Sequence, residues 1–255
     1  MTLLAVERIK LLSTRSPWWC AVAGLVLTAG FTALVVGNSD ERFPATVATT
    51  QFGYSFGLAV IMVLAALAVT TEYRFNTIRT TFQAVPNRTK ALLAKSTVVA
   101  LIALVLGEII AFACWGLSLV LAPEADLALN SGADWINVAG VGVVFALAAV
   151  IAVAVGILVR HSAGAISLLM IYSLAVESLV RMIPSIGEDI YAWLPFNVAH
   201  KFLTGEGESN PGRMAEAGMP LSTSTLSQGW ALLYFAGFAA ALLAVAIVTA
   251  KRRDA

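Results

Sequence analysis

Three ionisable residues stand inside long apolar runs: Glu108, Glu177 and Arg181. Glu108 lies about a dozen residues into its run, near the middle of a bilayer if the run is helical. A charge at that depth is costly and turns toward protein or water. This carboxyl therefore carries protons, lines a polar cavity, or is a hydrogen-bonded packing residue. Glu177 and Arg181 are spaced i, i+4 and can pair on one helix face, as a structural ion pair or as part of a polar path. The sequence has no G-x-x-x-x-G-K-[ST] phosphate loop, no H-E-x-x-H and no C-x-x-C. His161 and His200 fall on opposite sides of the apolar runs and cannot share a metal. Cys20 and Cys114 both sit within apolar runs, without metal spacing or a disulfide framework. Nothing here argues for an enzyme, a bound metal or a cofactor on this chain.

The densest charge lies in 70–95, TTEYRFNTIRTTFQAVPNRTKALLAK, between two apolar runs. Arg74, Arg79, Arg88, Lys90 and Lys95 oppose the single acid Glu72. Ile78, Phe82 and Val85 recur at i, i+4 and i+7, an apolar stripe on a short helix. Pro86 should end that helix, because a proline pushes the residue before it out of helical geometry. Such a connector is either a docking surface for a cytoplasmic partner or a solvated basic loop that only fixes topology.

The elements that carry these residues are membrane spans. Of 255 residues, 59% are hydrophobic and only 12% charged, with mean hydropathy +0.86; soluble domains carry about twice that charge. The net charge of +1 gives no reason to expect nucleic acid as a partner. Residues 1–17 carry Arg8, Lys10 and Arg15 around an imperfect apolar ridge of Ala5, Ile9 and Leu12. They predict an interfacial helix on the bilayer surface, with Trp18 and Trp19 at the boundary. The alternative is a frayed basic tail. Spans follow at about Trp18–Val36, Gln51–Val69, Ser96–Leu121, Trp135–Val159, Ala163–Ile183 and Gln228–Ala250, each long enough to cross about 30 Å of hydrocarbon. The first run is too long for a cleaved signal segment and reads as a retained span. The whole chain, 1–255, reads as one all-α membrane domain of six spans.

Twelve of the 16 lysines and arginines lie in the N-terminal segment, the connector, Arg160 and the C-terminus; Arg42, Arg181, Lys201 and Arg213 lie on the other side. Positive charge collects on the cytoplasmic side, so both termini and the connector are expected there, in a cell membrane. The segment 184–227 before the last span contains the apolar, aromatic stretch Ile190–Phe196, too short to cross. It predicts two short re-entrant or interfacial helices broken at Pro195, followed by a glycine- and charge-rich stretch from Gly205 to Pro220.

Taken together, these features resemble a permease subunit of the bacterial ABC-2 type transporter family. The likeness covers the whole architecture and is most specific in Glu72-Tyr-Arg-Phe-Asn-Thr-Ile-Arg-Thr-Thr81, then Val85-Pro-Asn-Arg88 and Ala94-Lys95. A glycine expected near position 76 is Asn76 here, and asparagine also tolerates the left-handed turn. The resemblance implies a half-transporter without its own motor. Two such subunits, identical or paired with a sister permease, would dock on separate ABC ATPase chains, which would bind ATP and Mg. It further implies docking through Glu72, Ile78, Arg79, Phe82, Val85 and Arg88, with the Ile78–Phe82–Val85 stripe seated in an ATPase groove. A substrate route along spans two and five would pass Phe52, Phe56, Met62, Met170, Ser173 and Glu177. The expected function is outward movement of a lipophilic or amphipathic small molecule, such as a drug-like compound or a lipid. Two other readings stay open: a proton-coupled secondary transporter using Glu108, and a non-transporting scaffold or immunity subunit.

Overall fold

A computed structural model describes residues 2–40, 43–85, 87–205 and 222–253. Among these residues all regular structure is helical, as backbone in hydrocarbon requires, since each amide must find its partner within its own segment. Helix α1 (Leu3–Leu12) leads to α2 (Ser16–Gly37), a short α3 (Val47–Thr50) and α4 (Tyr54–Arg74). The connector helix α5 spans Thr77–Ala84, followed by α6 (Arg88–Leu121) and α7 (Gly132–Val159). Helix α8 (Ser162–Ile171), a π-helical turn over Tyr172–Val176 and α9 (Glu177–Arg181) make one further span. Two short helices, α10 (Gly187–Tyr191) and α11 (Pro195–Thr204), precede α12 (Gln228–Arg253).

Six stretches are long and apolar enough to cross a membrane, in the order expected. The third starts at Arg88 rather than near Ser96. Asn87 caps it, its side-chain oxygen accepting from the Lys90 amide at 3.2 Å. The stop before Pro86 is as expected: α5 ends at Ala84 and Val85 is extended, with φ −125° and ψ 97°. Pro195 opens α11 at its first turn, where a missing N–H costs nothing. Of the predicted glycine-rich stretch, residues 206–221 lie outside the described residues.

Helix α7 is the core of the bundle. Its apolar window is 72% buried, against 17% for the α8–α9 span and 22% for α2. It packs against α4, α6 and α12. Its glycines permit this: a Cβ added at Gly107 of α6 would fall 2.7 Å from the Gly142 Cα. Such contact between small residues is how helices gain packing energy in lipid, where apolar side chains gain little from burial. Phe145 fills the space beside this crossing and is fully buried.

Candidate functional site

Two polar sites occupy opposite ends of the bundle, one around the connector and one beneath α11. At the connector, Asn76 adopts the left-handed conformation, φ 57° and ψ 13°, and turns the chain from α4 into α5. The apolar stripe of α5 turns toward the bundle. Ile78 is only 6% exposed, and Phe82 packs half-buried on the chain's own core. The Arg88 guanidinium covers the Phe82 ring at 5.5 Å. Ile78 and Phe82 of the stripe therefore pack on the bundle itself. Arg74, Phe75, Arg79 and Gln83 are the exposed residues around it, with Phe75 67% exposed.

Beneath α5 lies a charge cluster built from four helices. Lys95 of α6 is buried and donates to Glu7 of α1 and, at 2.9 Å, to Glu72 of α4. Lys10 of α1 donates to Glu7 at 2.8 Å, to Glu72 at 3.4 Å and to the Thr81 hydroxyl of α5 at 3.0 Å. Two cations meet two anions, so the buried charges balance. Burial alone would push Glu7 up, but the Lys95 charge and the hydrogen bonds from Lys10 and Lys95 outweigh it and hold its carboxyl below the ordinary value. Burial would likewise lower Lys10, and the bond to Glu7 with the Glu72 charge holds it above its ordinary value. The cluster borders a cavity of about 660 Å³ lined from α1, α2, α4, α5 and α6. Sequence reasoning placed Glu72 and Lys95 in the connector and Lys10 among the N-terminal charges, and missed Glu7 and the cluster they form. The available signal was that Glu7 and Glu72 are lone acids in otherwise basic segments.

Helix α1 presents its apolar ridge away from the bundle and its acid toward it. Its one buried residue is the acid Glu7, whereas Leu4, Ile9 and Leu12 are exposed. Its apolar ridge thus faces outward, as a helix lying on a bilayer surface needs.

At the far end, Glu177 follows the π-helical turn and reaches α11. One carboxylate oxygen accepts from the Phe196 amide at 3.0 Å and the other from the Asn197 amide at 2.9 Å. These are orphan donors at a helix start, where a negative charge is favoured. The expected Glu177–Arg181 ion pair is not formed. Among the described residues the ion pairs join Glu7, Lys10, Glu72 and Lys95, and the Arg181 guanidinium instead covers the Tyr191 ring at 5.9 Å. The α11 amides supply the stronger partner because they are fixed and buried.

Phe52, Ser173 and Glu177 line a single cavity of about 290 Å³ together with Gln51, Asn137 and His200. His200 Nδ1 lies 3.1 Å from the Tyr54 hydroxyl, with the two rings stacked. Of the other residues expected along a route, Phe56 is exposed and tilts on Phe31 at 5.0 Å. Met62 is fully buried in the core, and Met170 packs half-buried against it. Glu108 is half-buried; its carboxyl lies across Gly142, whose added Cβ would come to 2.8 Å from the Glu108 Cγ. Gly53 to Gly57 spells G-x-S-x-G, the pattern of a hydrolase nucleophile elbow, which needs a strand running into a helix. Here it opens α4 directly after α3, so no elbow is built.

The fold and these two polar ends define a polytopic helical membrane protein with a structured connector after its second span. The sequence profile of the ABC-2 family transporter proteins matches residues 3–176, and the chain belongs to that family. The match runs from α1 through the π-helical turn and stops just short of Glu177. No curated protein matches the chain. The family is that of the transmembrane component of a transporter, not of the ATPase.

Proposed function

We propose that this chain is the membrane-spanning half of an ATP-driven exporter, with its connector facing the cytoplasm and docking on a separate ABC ATPase. The observation that carries this reading is the junction at α5. A helix presenting Arg79 to solvent, next to the exposed Phe75 at the end of α4, is tied by Thr81, through Lys10, to charges on α1, α4 and α6. A push on α5 is thereby delivered to the connector-side ends of two spans, α4 and α6, instead of being absorbed by a flexible loop. Docking uses the exposed rim of α5, with Arg79 as its charged contact, while Ile78, Phe82 and Val85 secure the helix to the bundle. The thinly covered α2 and α8–α9 spans leave apolar faces for a second permease, identical or a sister chain. The cargo is a lipophilic or amphipathic small molecule moved outward, and the protein resides in a bacterial cell membrane with both termini inside.

The test is gentle isolation from the membrane and identification of what accompanies the chain. An ATPase subunit should co-purify, and Arg79→Glu should cut both its recovery and its permease-stimulated ATP turnover several-fold. Unchanged recovery and turnover with Arg79→Glu and Phe75→Ala together would remove the docking role. Transport that persists without ATP, collapses with an uncoupler and fails in Glu108→Gln would replace this reading with a proton-coupled one.

A further inference from the structure

The cavity beneath α11 has an unusual polar inventory. Gln51, Asn137 and Asn197 line it and are 4%, 7% and 2% exposed. The side-chain nitrogen of each already donates. Gln51 donates to the Ala111 carbonyl at 3.1 Å and to the Thr50 hydroxyl at 3.0 Å. Asn137 donates to the Leu203 carbonyl at 3.2 Å. Asn197 donates to the Tyr191 carbonyl at 2.9 Å and to the Thr223 hydroxyl at 3.4 Å. These bonds fix which end of each amide is oxygen. All three amide oxygens, and the Ser173 hydroxyl, are buried without a partner. A buried acceptor left unpaired costs free energy, and all four residues line this one cavity, so a donor entering it would repair the deficit. No lysine or arginine lines the cavity, and its one carboxylate is Glu177.

We propose that this cavity binds a protonated amine, the N–H donors of an ammonium head group bonding to Gln51, Asn137, Asn197 and Ser173. The inference rests on the exporter reading and deepens it: the cargo is a cationic amphiphile whose head enters here while its tail stays in the apolar bundle. The volume, about 290 Å³, suits a head group rather than a whole drug-sized molecule. The acceptors are sealed in the wall, so the ligand reaches them when span five shifts. The π-helical turn carrying Ser173 is where that span is wound least regularly. An anion is disfavoured by these four unpaired acceptors.

The experiment uses the full chain, with whatever subunits accompany it, in phosphatidylcholine nanodiscs without nucleotide. Thermal stabilisation and tryptophan quenching are measured with dodecylamine, dodecyltrimethylammonium and dodecyl sulfate, which share a tail and differ in head. Dodecylamine should bind at least tenfold tighter than the trimethylated head, which has no N–H, and dodecyl sulfate should show no saturable binding. Ser173→Leu, which fills the cavity, should weaken dodecylamine at least tenfold, and Ser173→Ala by two- to threefold. Equal binding of all three amphiphiles, or binding indifferent to Ser173→Leu in a variant of unchanged melting temperature, would overturn the proposal. Repeating the titration with phosphatidylethanolamine in the disc separates two sources of the same head group. A tenfold loss of apparent affinity assigns the site to a lipid ammonium; an unchanged value assigns it to a free amine. Because nucleotide is absent, a failure of ATP coupling leaves these readings untouched, and their failure leaves the coupling reading untouched.

Discussion

The two polar ends of this bundle bury similar groups and resolve them in opposite ways. At the connector, each of the four charged side chains meets an opposite charge, one Glu72 oxygen alone going without a partner, and Lys10 has a further donor that reaches Thr81. Beneath α11, one carboxylate is matched by two backbone amides while three amide oxygens and a hydroxyl go without. A satisfied network rigidifies its surroundings, and an incomplete one is a standing cost unless something completes it. On the proposed exporter reading, the contrast separates a joint, which must transmit displacement, from a receptacle, which must accept a visitor and release it.

The sharpest way to break this contrast is to unbalance the joint. Lys95→Met should destabilise the protein by about 3–5 kcal/mol, because it leaves two carboxylates sharing the single cation Lys10. Thermal unfolding in nanodiscs reads this, and adding Glu7→Gln should restore part of the loss. A Lys95→Met protein as stable as the parent would mean that the cluster holds nothing together. The receptacle should respond less. Glu177→Ala frees the first amides of α11 and should cost about 1–3 kcal/mol. Hydrogen exchange should then quicken at Phe196 and Asn197 while α5 stays protected. Loss of protection at both ends would show that the two sites are not independent.

The smallest effect is in acid. Glu7 titrates below its ordinary 4.5 in the folded protein, so the unfolded chain binds its proton first as pH falls. Its stabilising contribution is complete above about pH 5 and is lost as pH drops through the lowered folded value. Lys10 is raised, so its contribution is complete below its ordinary 10.5 and disappears only in strong alkali. Melting temperature should therefore fall between about pH 5 and pH 3, and Glu7→Gln should flatten that limb. An unaltered acid limb would assign the slope to other carboxylates.

The spans, the connector helix, its end before Pro86 and the paired outer helices were all legible from apolar run lengths and proline positions. So was the turn at Asn76, because few residues tolerate that backbone geometry. Facing was not legible. Span helices are apolar on all sides, so Met62 in the core and Phe56 on the surface look alike in sequence. The α5 stripe was correctly seen as a stripe, but periodicity reports that a face is apolar without naming what covers it. The charge cluster eluded the sequence because Glu7 and Lys95 are far apart in the chain and meet only once α1 folds back on α6. Glu177 looked paired with Arg181 because i, i+4 spacing is visible locally, whereas the α11 amides come from beyond the end of its own helix.

The central position of α7 has a mechanical consequence. A rod gripped along most of its length by α4, α6 and α12 cannot turn without dislodging all of them, and the Gly107–Gly142 crossing leaves no clearance for a roll. On the proposed exporter reading it is the stator. Displacement must be sought in the lightly held flanks, and spectroscopic distances measured from the ends of α7 would record their travel against a fixed datum.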